Sequence, residues 1–141
     1  SRSGTLTYEA VAQTTRPLAG LPNVTLHKGF LTQREIAALH RENGIFLCPT
    51  RMDTQGVSRD EAMASGLVPV TMRVAAVPEF VDDACGILVD AEDAKQLADA
   101  IEALQTDPQR FLRLSQAAAA RVRHDSGAEQ TIVRELDWLR R

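Results

Sequence analysis

Four short runs of branched apolar residues punctuate the chain: "NVTLHKGF" at 23–30, "GIFLCPT" at 44–50, "LVPVTM" at 67–72 and "CGILVD" at 85–90. Each reads as a buried strand. Between the first two, "TQREIAALHREN" spaces Ile36, Leu39 and His40 along one helical face, and Thr32 with Glu35 forms the sequence pattern of a capping box. Between the second and third, "GVSRDEAMASG" predicts a helix that begins near Gln55, Gly56 and Val57 and closes at Gly66. Strand, helix, strand in this rhythm predicts right-handed βαβ units: an α/β, Rossmann-like parallel sheet of about four strands flanked by helices.

Past the fourth run the pattern turns helical. "DAKQLADAIEALQ" repeats apolar positions at Ala94, Leu97, Ile101 and Leu104, one core-facing stripe. Asp107 followed by Pro108 marks the start of another helix, which runs through the alanines at 117–120. Gly127 separates it from a last helix, "AEQTIVRELDWLRR", with Ile132, Leu136 and Leu139 on one side and Trp138 expected as its packing anchor. At the other end, "LTYEAVAQTTRPLAG" predicts a helix with no strand ahead of it, although a doubly wound sheet starts with a strand. The expectation is a fragment of a longer two-domain protein, with a βα unit and an N-terminal domain missing and one sheet edge open to self-association.

The 141 residues suffice for one core but hardly for two, so one domain is expected over 1–141. Composition is that of a soluble globular protein, with 44% apolar and 25% charged residues. A net charge of -3 argues against a broad nucleic-acid footprint. Cys48 and Cys85 lack a CxxC partner or a clustered histidine, which predicts two reduced thiols and no zinc. No apolar run approaches the roughly 20 residues of a bilayer span, and a cytoplasmic location is the default.

Chemistry is expected where strands of a parallel sheet end and the next helices begin. "PTRMDTQGVSRDE" lies at such an end. Gly56 lets a ligand approach the backbone, and the free amides of a first helical turn attract an anion such as phosphate. Glu61 lies five residues further, about 7.5 Å along a helix, and shares a face with Val57; a carboxylate there can accept both hydroxyls of a ribose. Asp53, in the loop ahead of the helix, lies where a sugar attached to the diphosphate would sit. Plainer readings stand beside these: a solvated Glu61 and an ordinary turn glycine at 56. His27, His40 and His124 stand in no metal spacing and beside no nucleophile. Lys28 and Arg51 lie near the proposed phosphate edge, with solvation the plainer reading for both.

From about Asn23 to Arg123, "NVTLHKGFLTQREIAALH", "IFLCPTRMDTQGVSRDEAMASGLVPVT", "AAVPEFVDDACGILV" and "DAKQLADAIEALQTDPQR" resemble, in order, the C-terminal domain of group 1 retaining glycosyltransferases of the GT-B fold. The most specific part is the family's pair of acids separated by seven residues, followed by Ala-Met-Ala and a glycine. Here the pair is Asp53, where the family usually has Glu, and Glu61, with "EAMASG" a full match. The resemblance implies that Asp53 faces the donor sugar and its reacting carbon, that Glu61 takes the ribose role, and that the amides of Gln55, Gly56 and Val57 bind the diphosphate. It places Gly29, Phe30 and Leu31 beside the nucleotide base, although Phe30 also reads as core. Where many relatives carry Gly-Gly before Pro-Glu, this chain has Ala75 and Ala76, so no glycine-only backbone conformation is expected there. Pro78 and Glu79 predict a short helix, Glu79 serving as its first-turn acid.

The implied activity is transfer of a sugar from a nucleoside-diphosphate sugar to a glycan or other acceptor, hexosyltransferase in type. The donor enters as substrate, and neither cofactor nor metal is expected. The fragment alone is expected to be inactive. Expected partners are the donor and the N-terminal domain of the same chain, with peripheral membrane association of the full-length protein. A noncatalytic interaction module that has kept the fold is the alternative. A phosphosugar epimerase of related two-domain build is a third reading, and it would need catalytic acids and a histidine in the cleft.

Overall fold

The structure, a computed structural model, describes residues 15–27, 29–53 and 56–140. The chain divides into two units, Ser1–Leu31 and Thr32–Arg141.

In the first unit a single 3₁₀ turn, Arg16–Leu18, is closed by the Ala19 N–H donating to the Arg16 carbonyl at 3.1 Å. Most of the helix expected over "LTYEAVAQTTRPLAG" lies outside the described residues. The strand expected over 23–30 is not formed by its described residues. The Leu21 and Val24 amides turn back onto Leu18 and Leu21, at 3.3 and 3.1 Å, rather than outward to a ladder. A strand exists only where a neighbour takes its backbone donors and acceptors, and apolar composition alone does not supply one.

The second unit holds a three-stranded parallel sheet instead of one of about four strands. Its elements are α1 (Gln33–Glu42), β1 (Ile45–Cys48), α2 (Val57–Ala64), β2 (Val68–Met72), α3 (Val77–Phe80), β3 (Ile87–Val89), α4 (Ala94–Thr106), α5 (Pro108–Ser126) and α6 (Ala128–Leu139), with the strands in the order β1-β2-β3. The capping box is present: the Glu35 amide donates to the Thr32 hydroxyl, and the Thr32 amide donates to the Glu35 carboxylate at 2.7 Å. Asp93 and Asp107 cap α4 and α5 with their side chains alone, accepting from the amides of Gln96 and Arg110.

All five residues of the central strand β2 are buried, which is why its sequence is continuously apolar rather than alternating. Ile45 lies opposite Val68, and Val70 opposite Ile87. Pro69 is tolerated there by register. The Val68 amide points to β1, donating to the Gly44 carbonyl at 2.8 Å, so by alternation the Pro69 nitrogen faces the β3 side. Pairing with β3 begins only at Val70, and no ladder bond is lost.

Val68, Val70 and Met72 pack with Val89 and with Leu97, Ala100 and Leu104 of α4. A second cluster joins Met63 of α2, Val77, Val81, Cys85 and Ala118 of α5. Each fully buried Val or Met contributes roughly 1.5–3 kcal/mol by leaving water.

Helix α5 straps the amino edge of the sheet. Its Phe111 packs so closely on Gly44, ahead of β1, that an added Cβ would lie 2.8 Å from the ring. Ser115 donates to the Gly66 carbonyl ahead of β2 at 2.6 Å, and Arg121 pairs with Asp82 ahead of β3. The carboxyl edge is thereby left to the loops after β1, β2 and β3.

Helix α6 does not bury the expected stripe. Ile132, Leu136 and Leu139 are exposed, and Trp138, 83% exposed, anchors nothing among the described residues. Amphipathic spacing fixes which residues share a face; it does not provide a surface for that face to meet.

Candidate functional site

The loop leaving β1 is set by Thr50, whose hydroxyl donates to the Met52 carbonyl at 2.7 Å. It delivers Asp53, 23% exposed, to the carboxyl edge. Gly56 then caps α2 in the left-handed region, at φ 64 and ψ 45, with no side-chain cap. The first helical bond is the Asp60 amide onto the Gly56 carbonyl at 3.0 Å, so the Val57 and Ser58 amides ahead of it have no helical acceptor. In contrast to α1, α4 and α5, this helix presents its first amides beyond a bare glycine, the arrangement suited to an anion.

Glu61 lies half-buried on α2, and its Oε1 accepts from Gln33 Nε2, at the start of α1, across 3.2 Å. That bond uses one of the carboxylate's four acceptor positions and holds the side chain beside the head of a neighbouring helix. Asp53, Gly56, Val57 and Glu61 are therefore brought together on one loop and helix. Gln55 and Lys28 lie outside the described residues. Gly29, Phe30 and Leu31 belong to the first unit. There Gly29 is left-handed at φ 101, and Phe30 is fully exposed, which excludes its reading as core.

Sequence reasoning missed Arg59. Its side chain is only 3% exposed, and every other buried residue among the described ones is uncharged. Nε and Nη2 donate to Asp60 Oδ1 at 3.1 and 2.9 Å, and Nη1 lies 4.0 Å from Asp53 Oδ2. The guanidinium stacks 4.5 Å from the centroid of Phe80, on α3. It also fills the space beside Gly56, where an added Cβ would lie 2.5 Å from Nη1. The signal was present: residues 59, 62 and 63 stand at i, i+3 and i+4, and Ala62 and Met63 are buried.

Burial, and after it the Asp53 carboxylate, pushes the thiol of Cys48 up from its ordinary value. Arg51 pairs with Glu92 in the loop after β3, at 3.1 Å, with both side chains well exposed. Among the described residues no group of three His, Cys, Asp or Glu side chains is arranged to hold a metal ion. His40 faces Ser65 at the far end of α2, and His124 faces Asp125 on α5, so neither lies at the carboxyl edge.

The loop after β2 departs from expectation. Ala75 has φ 45, the left-handed region, and Ala76 follows at φ -83. The Val77 amide closes the turn onto the Val74 carbonyl at 3.0 Å. Positive φ at the first central residue is the pattern of a type II′ turn, which favours glycine. The glycine-type conformation is thus kept without the glycine, and α3 follows as expected with Glu79 exposed in its first turn.

The model of the family described as glycosyl transferases group 1 matches residues 4–107. A D-inositol 3-phosphate glycosyltransferase of Arthrobacter sp. (strain FB24) is 31% identical over 102 residues, which make up 72% of this chain and 24% of that protein. The lipopolysaccharide core biosynthesis mannosyltransferase of Rhizobium meliloti (strain 1021) is 30% identical, with coverage of 89% of this chain and 36% of that one. Among solved structures, the C-terminal domain of a glycosyl transferase group 1 family protein from Francisella tularensis aligns with a TM-score of 0.69 and 27% identity, covering 85% of this chain and 62% of that one. Sucrose-phosphate synthase from Thermosynechococcus elongatus aligns with a TM-score of 0.77 and 22% identity, over 94% of this chain and 32% of that one, a likeness of fold. The chain thus spans about a quarter of the length of the first of these relatives.

Proposed function

The chain belongs to the group 1 glycosyl transferases and has the fold of their GT-B C-terminal domains, and from that premise we propose that it is the donor-binding domain of a longer, two-domain retaining enzyme. The donor is a nucleoside-diphosphate sugar, and the acceptor is a glycan or other hydroxyl compound bound largely by the N-terminal domain.

The observation that carries this reading is the uncapped head of α2 beyond Gly56, with Asp53 before it and Glu61 after it. Amides of the first turn receive the diphosphate and stabilise the charge that grows on it as the glycosidic bond breaks. Glu61 accepts from the ribose hydroxyls. Asp53 faces the donor sugar and holds it for attack by the acceptor on the face that preserves anomeric configuration. Fixed amides need no metal to hold a diphosphate. Gln55, next to Gly56 in the chain, completes the proposed amide cradle. The isolated domain binds nucleotide weakly and turns over nothing, since the acceptor side belongs to the other domain. Cytoplasmic location and peripheral membrane association belong to this proposal; the described residues contain no helix long and apolar enough to cross a membrane.

The test is sugar transfer by the two-domain protein, with the product's anomeric configuration read by NMR. Transfer with retention that Asp53→Ala abolishes is the expected result. Inverted product overturns the retaining assignment. Transfer undiminished by Asp53→Ala overturns the site, and no transfer by the parental two-domain protein favours a noncatalytic module.

A further inference from the structure

We infer that Arg59 is a positioning residue for Asp53, fixing the carboxylate that faces the donor sugar; this rests on the proposed function above. A buried cation without partners costs several kcal/mol, so a guanidinium 3% exposed dictates the arrangement of the carboxylates around it. Asp60 is held tightly, accepting from two nitrogens on one oxygen. Asp53 is held differently: at 4.0 Å it feels the Nη1 charge without a short hydrogen bond. Its oxygens stay available to sugar hydroxyls while the charge holds their direction. Asp53 is the more exposed of these two acids, 23% against 19%.

The guanidinium cannot drift to follow either acid. Phe80 covers it at 4.5 Å, and Gly56 packs beside it. Asp53 is one methylene shorter than glutamate, and a fixed cation between the acid and the helix head gives that short side chain a defined seat. Arg59 thereby ties Asp53 to Phe80 of α3. Neither Arg nor Asp at 59 and 60 touches the donor in this account; they act through Asp53.

The experiment is steady-state kinetics of the two-domain protein carrying Arg59→Leu with Asp60→Leu, which removes the pair without stranding a buried charge, and Arg59→Lys, which keeps charge but loses the planar fork. In the double variant kcat is expected to fall about 30-fold or more, the scale of a misplaced reacting group, while the donor KM and the nucleoside diphosphate Kd stay within about threefold. Arg59→Lys is expected to restore part of kcat. In an Asp53→Ala background neither change should have further effect on the residual rate. If the double variant does not fold, Arg59→Lys alone decides: reduced kcat at unchanged KM supports the inference, and parental kcat overturns it. Parental kcat in the double variant, with transfer still abolished by Asp53→Ala, overturns the positioning role and leaves the proposed function intact. Full transfer by Asp53→Ala overturns both.

Discussion

Gly56 is constrained twice, by φ 64 and by the Arg59 guanidinium 2.5 Å from any Cβ it might carry. Gly56→Ala should therefore destabilise by about 2 kcal/mol or more, combining left-handed strain with displacement of a buried charge, as read from the urea midpoint. Ala75 is the opposite case: an alanine where the turn prefers glycine, at φ 45. Left-handed strain of about 1 kcal/mol there exceeds the entropy that glycine adds to the unfolded chain, so Ala75→Gly should stabilise by about 0.5 kcal/mol in the same measurement. A loss of stability would show that Ala75 is not strained. The tolerance of alanine here is understandable, because the turn is closed by its own hydrogen bond and followed at once by buried Val77.

At the scale of elements, the helices and the three paired strands were legible because their signals are local: the capping box at Thr32 and Glu35, Asp107 before Pro108, the glycine closing α2. What failed was nonlocal. The described residues of 23–30 have strand composition but no ladder, Trp138 has an apolar face but nothing among the described residues to meet it, and Ala75 takes a backbone conformation its side chain argues against. The site divides in the same way. Glu61 and Gly56 stand out by spacing, whereas Arg59 becomes visible only when the helix is rotated so that positions 59, 62 and 63 face inward. The link between α5 and the loop ahead of β3 gives a pH prediction. The Arg121 guanidinium, first by its hydrogen bond, holds the Asp82 carboxyl below its ordinary value. A depressed folded pKa adds stability above the unfolded value near 4, and that stability is lost as pH falls through the folded value. The pair is half-exposed, so its contribution should be about 0.5 kcal/mol, and Asp82→Asn should flatten the decline in stability between about pH 5 and pH 2. An unchanged slope would assign the decline to other groups.

At the scale of the molecule, α5 closes the amino edge of the second unit and the loops after three strands open the other, so stability and ligand chemistry are allotted to opposite ends of one sheet. That division predicts that nucleotide affinity depends on the head of α2 and on Glu61, not on the strap. The most direct measurement is calorimetric titration of the chain with UDP, GDP and ADP, run beside Glu61→Ala. At least one diphosphate should bind, and Glu61→Ala should weaken it about tenfold or more, the worth of hydrogen bonds to a charged acceptor. Binding that Glu61→Ala leaves untouched, or no binding by any of the three, would contradict the account.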